Sequence, residues 1–120
     1  MNPIDQPEPS VCVMDHDFEA QRRDTLHAWK ELSTKQDFPK RAVLDLQFVP
    51  RESGADWHAF QHQLTSEGYH VERYDDGGTL EASVGPIDLD FNSIWQHEFK
   101  TTKFAIEWGF LPDGWGVFSQ

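Results

Sequence analysis

The chain has 120 residues and a net charge of −11, from 10 Lys and Arg against 21 Asp and Glu; at roughly 100–200 residues per domain this is one domain rather than two. Such a charge is repelled by phosphate backbones and by anionic membrane surfaces, which argues against direct nucleic-acid or membrane binding. With 38% hydrophobic and 13% aromatic residues, the chain nevertheless carries too much apolar bulk for an acidic disordered segment.

Residues 1–14 hold Pro3, Pro7 and Pro9 and no helical or alternating period, so they are expected to form a mobile arm ahead of a single domain over residues 15–120. The arm contains Cys12, the chain's one cysteine, which leaves no intramolecular disulfide and no multi-cysteine zinc site, as suits a reducing compartment. Its apolar run, Val11 to Met14, is too short for a signal-peptide core or a membrane span, and a cytoplasmic location is expected.

Phe18, Arg22, Leu26, Trp29 and Leu32 recur at three- and four-residue steps, which predicts a first helix, capped by Asp15 or Asp17 and ending before Pro39. Residues 42–49 alternate Leu44, Leu46 and Phe48 with Asp45 and Gln47, a half-buried strand halted at Pro50. From about Asp56, Trp57, Phe60 and Leu64 share a helical face that Gly68 terminates. Residues 69–74 and 79–84 read as strands joined through Asp75-Asp76-Gly77-Gly78, an antiparallel hairpin. After Gly85-Pro86, Phe91, Trp95, Phe99 and Ile106, widened by Ile94 and Ala105, predict a long helix over residues 88–108. A last strand follows within 110–118, of which only the end is expected to pair because of Pro112. The order is a helix, then β-α-β-β-α-β. It predicts an α+β fold: a ferredoxin-like βαββαβ plait, with a four-stranded antiparallel sheet, two helices on one face and an extra N-terminal helix.

That order, the pieces Lys40-Arg41-Ala42-Val43 and Leu64-Thr65-Ser66-Glu67-Gly68-Tyr69-His70-Val71, and the closing Asp113-Gly114-Trp115-Gly116 resemble the RraB family, regulators of ribonuclease E activity. The resemblance covers roughly residues 25–120. It implies the same plait and an action as a protein inhibitor that binds the ribonuclease's scaffold region, with no catalytic residue. The better-known members continue into a long acidic tail, which this sequence, closing at Gln120, does not show.

The residues themselves point the same way. Residues 52–99 hold ten acidic side chains against one basic, Arg73, a cluster that faces either water or a cationic partner. Alternation places Asp45, Gln47, Glu72, Tyr74, Glu81 and Ser83 on the sheet face away from the helices. Three carboxylates with one tyrosine are the opposite of an RNA-reading sheet. Asp45, Glu72, Tyr74 and Glu81 are therefore the candidate partner-binding residues, for a basic protein segment. Trp115, between two glycines, is expected to be mostly buried where the last strand meets the helices, with an exposed partner anchor as the other reading.

Catalytic sets are not apparent. His58 and His62 have the i, i+4 spacing of two metal ligands but no third at fixed spacing, and they read as exposed helix histidines. Asp88 and Asp90 do not share a helix face and are better placed to cap the long helix. No serine stands in a nucleophile-elbow context, and Gly77-Gly78 precedes a strand rather than a helix, so no phosphate loop forms. The expectation is a non-enzymatic regulator without cofactor or metal, favouring a ribonuclease E-type endoribonuclease as partner. The alternative is an immunity protein that neutralises a basic nuclease toxin.

Overall fold

The computed structural model describes residues 16–51, 53–74 and 78–118. The stretch expected as an arm, with Cys12, and Asp75, Asp76 and Gly77 of the hairpin lie outside the described residues. The elements are α1 (Phe18–Ser33), β1 (Arg41–Pro50), α2 (Trp57–Ser66), β2 (His70–Tyr74), β3 (Thr79–Asp88), α3 (Phe91–Glu107) and β4 (Phe110–Phe118). The strands form one antiparallel sheet in the order β2-β3-β1-β4, the ferredoxin-like plait. The chain has an α+β fold.

Each helix starts on an aspartate. Asp17, Asp56 and Asp90 accept the amides of Ala20, Ala59 and Ser93 at 3.0, 3.0 and 2.7 Å, satisfying donors that a helix cannot satisfy itself, worth about 1 kcal/mol each. Asp88, the other candidate cap, lies instead in β3 and pairs with Arg41 at 2.8 Å.

On the central strand Ala42, Leu44, Leu46 and Phe48 point into the core, and α2 answers with Phe60 and Leu64, β3 with Leu80 and Ala82, α3 with Ile94 and Ala105. Full burial of such a side chain stabilises by about 1.5–3 kcal/mol. Phe48, Phe60, Phe110 and Trp57 meet ring to ring at centroid distances of 4.8 to 5.1 Å. Trp29 of α1 packs against the hydrophobic core, so α1 joins the helix layer and leaves the sheet's second face without a helix over it among the described residues.

Four expectations are corrected. In α1 the buried position is Thr25, while Arg22 is exposed, its guanidinium 5.0 Å from the Phe91 ring centroid. In α3 the buried row is Ile94, Glu98, Thr101, Thr102, Ala105 and Ile106; Phe91, Trp95 and Phe99 are only partly covered, with Phe99 edge-on to Phe18 of α1. Gly85-Pro86 does not end β3. The strand continues to Asp88 around a bulge opposite the Ala42–Leu44 stretch. There Gly85 has φ +125° and so little room that a Cβ would lie 3.0 Å from the Ala42 carbonyl oxygen. Finally, β4 pairs with β1 from Phe110 to Phe118 rather than only at its end. Pro112 is tolerated because β4 is an edge strand, and Gly114, at φ +116°, takes up the register shift between the Leu46–Trp115 and Phe48–Pro112 pairs.

Candidate functional site

The sheet face that has no helix over it among the described residues carries three of the four predicted residues, Glu72, Tyr74 and Glu81. Register sets Glu72 of β2 directly opposite Glu81 of β3, and Gln47 of β1 opposite Glu81 on the other side. Like charges facing across a strand pair repel, and the phenol of Tyr74 mediates: its hydroxyl lies 3.1 Å from Glu81 Oε1 and 3.2 Å from Glu72 Oε1. One O–H proton serves one carboxylate at a time, so the pair remains under-compensated. Gln47 Nε2 donates to Glu81 Oε2 at 3.2 Å, and His70 Nε2 stands 3.4 Å from Glu72 Oε2. The hydrogen bond to Glu81 and that carboxylate's charge push the Tyr74 phenol up to about 12, so it remains a protonated donor at neutral pH. Tyr74 is 42% exposed. An exposed donor and two carboxylates held in fixed positions form a shallow surface suited to cationic groups.

Asp45 does not belong to that surface. It was expected beside Glu72, Tyr74 and Glu81 and has the right strand parity, but it is only 6% exposed. Its neighbours across β1 are Ser83 and Gly116; the Ser83 hydroxyl donates to its carboxylate. Asp45 is a structural group of the central strand.

The acidic middle of the sequence also divides when folded. Asp56 and Asp90 cap helices, Asp88 pairs with Arg41, Glu67 lies 3.8 Å from Lys100, and Glu98 is buried. Among the described residues only Glu72 and Glu81 of that group stand on the open sheet face. Arg73, the group's one basic residue, lies over the Trp57 ring at 3.9 Å, on the helix side.

Two titratable groups on adjacent α3 positions, His97, half-buried, and Glu98, buried, were not singled out from sequence. His97 Nδ1 and the Tyr69 hydroxyl are hydrogen-bonded at 2.7 Å. Partial burial, then the Lys100 charge, lowers the His97 pKa, favouring the neutral ring, and burial pushes the Tyr69 phenol up to about 12. Glu98, on the α1 side, accepts from the Thr25 hydroxyl and, at 3.0 Å, from Gln21 Nε2. Burial raises its pKa against the opposing effect of those two donors. The available signal was an acid four residues after Ile94 and seven before Ala105, within the buried row.

His58 and His62 are exposed on α2, and no group of three or more His, Cys, Asp or Glu is placed to hold a metal among the described residues. Among those residues no helix is long and apolar enough to cross a membrane. The Asp113-Gly114-Trp115-Gly116 segment is the bulged part of β4. Trp115, expected to be mostly buried, is only partly so: it packs on the core and leaves one side of the indole in a cleft. Compared with known families and curated proteins, the chain matches no family model and no curated relative.

Proposed function

We propose that the protein is a non-enzymatic regulator that binds a basic segment of a protein partner through its open sheet face. The observation that carries this reading is the Glu72–Tyr74–Glu81 cluster: two carboxylates in direct cross-strand opposition, tied by one phenol, on a face without helical cover among the described residues. Keeping two like charges opposed costs stability, and a cationic partner side chain between them relieves that cost. The resemblance to the RraB family favours a ribonuclease E-type endoribonuclease, or its scaffold region, as that partner, in the cytoplasm.

Opposed charges across an interface mainly accelerate encounter. Binding to the ribonuclease scaffold, followed by surface plasmon resonance, should weaken with added salt, with association affected more than dissociation. Replacing Glu72 and Glu81 together with Lys should slow association strongly while changing stability by no more than about 1 kcal/mol. Glu31→Lys, on exposed α1, is the control. Equal loss from that control would reduce the effect to net charge and remove the sheet face from the reading.

A further inference from the structure

On the opposite side of the sheet, α1, α3 and β4 enclose a cleft of about 380 Å³, at the small end of the roughly 300–1,000 Å³ range of ligand pockets. Its walls are apolar, with Ala28 and Leu32 from α1 and Pro112 and Trp115 from β4. One end is acidic, with Glu98, 5% exposed, and the exposed Asp24. Among the described residues no Lys, Arg or His lines it. The Glu98 carboxylate is fixed from behind by Thr25 and Gln21, and Gln21 is itself held by Thr102 at 3.0 Å and His16 at 2.6 Å. Each Glu98 oxygen therefore has one neutral donor, and neither has a cationic one.

We propose that this cleft is a receptor for a single arginine side chain of another protein. The complementarity is of charge and of shape. An apolar stem lies along Leu32 and Pro112, the planar cation rests against the indole of Trp115, and its N–H groups meet Asp24 and Glu98. Lysine fits less well, because a strongly hydrated ammonium has no flat face for the indole and no fork for a carboxylate. Residues 1–15 contain neither Arg nor Lys, so the chain's own N-terminal stretch cannot supply the side chain. The site lies across the sheet from Glu72 and Glu81 and does not depend on the function proposed for them.

The test is a two-dimensional NMR titration of the intact protein with Nα-acetyl-arginine methylamide, in parallel with the lysine and citrulline analogues. Saturable shifts are expected at the Trp115 indole N–H and the amides of Asp24, Ala28 and Gly114 with the arginine probe, weaker ones with lysine and none that saturate with the neutral citrulline isostere. Asp24→Asn, an exposed change that leaves the fold intact, should weaken arginine binding by about two- to fivefold. Ala28→Phe, which fills the cleft, should abolish it, and Glu72→Gln should leave it unchanged. Absence of saturation with the arginine probe, equal binding of citrulline, or shifts centred on the open sheet face would each overturn the proposal.

Discussion

On the open sheet face Glu72 and Glu81 stand opposite each other, joined by the exposed phenol of Tyr74; beneath α1, Glu98 is buried and held by a threonine and a glutamine. The first arrangement keeps charge available, because solvent carries most of its cost. The second places a carboxylate where solvent barely reaches, which raises the group's own pKa and ties the fold to its protonation state. A net charge of −11 thus contains at least two kinds of carboxylate, one adapted to meeting a partner and one embedded in the join between α1 and the plait.

The largest difference should appear when aromatic residues are removed from the two sides. Trp115 packs on the core from the helix side, whereas Tyr74 stands on the open face. Trp115→Ala should cost about 2–3 kcal/mol, below the roughly 3–5 kcal/mol of a fully buried tryptophan, because part of the indole already faces the cleft. Tyr74→Ala should cost less than about 1 kcal/mol. Urea midpoints at constant m measure both, and equal costs would mean that the open face is part of the core.

Much of this contrast was legible in the sequence and part of it was not. Alternation over β1 and β3 placed Leu44, Leu46, Leu80 and Ala82 inward and Glu81 outward, and aspartates ahead of apolar runs marked the helix starts. Burial was harder to read than direction. Asp45 has the parity of an exposed residue, yet on the central strand β1, with a paired strand on each side and its carboxylate bonded by the Ser83 hydroxyl, it is only 6% exposed. In α3 side-chain size misled: Phe91, Trp95 and Phe99 look like a core stripe, but with α1 packed alongside they lie on a flank, and the smaller Ile94, Thr101 and Ala105 face inward. Glycine and proline misled in the same way. Gly85-Pro86 and Pro112 resemble chain breaks but sit at or beside bulges inside paired strands, where they bend the backbone without ending the ladder.

A smaller effect should appear in the pH dependence of stability. Burial raises the Glu98 pKa above its ordinary 4.5, so the folded state binds this proton more tightly than the unfolded state. The resulting contribution is fully present below 4.5 and is lost as pH rises through the raised value. His97 has the opposite sign. Its lowered pKa gives a contribution present above 6.5 and lost as pH falls through the lowered value. Comparing wild type with Glu98→Gln should show wild type gaining relative stability as the solution is acidified, while His97→Gln should remove a loss on the acid side. Asp24 and His16 lie near Glu98 and act on it in opposite directions, so the comparison is made against the Gln variant rather than read from the wild-type profile. A pH-independent difference between wild type and Glu98→Gln would show that Glu98 is not differentially protonated on folding.

The finest test uses the two tyrosines. Both phenols are pushed up to about 12, Tyr69 chiefly by burial and Tyr74 chiefly by its hydrogen bond to Glu81 and that carboxylate's charge. The causes respond differently to the same treatments. In a Tyr69→Phe background the remaining phenol, followed by its ultraviolet absorbance, should titrate above 10 and move back toward 10 when Glu72 and Glu81 are both changed to Gln. Added salt should move it part of the way without any substitution, since an exposed phenol and its carboxylates are screened. In a Tyr74→Phe background the Tyr69 titration should resist salt, because burial is not screened, and above pH 10 it should proceed with loss of stability, since the unfolded chain releases that proton first. If Tyr74 ignores both salt and the glutamine changes, its hydroxyl is not shared between the two carboxylates. The open face would then lack the fixed charge pair on which recognition of a basic segment depends.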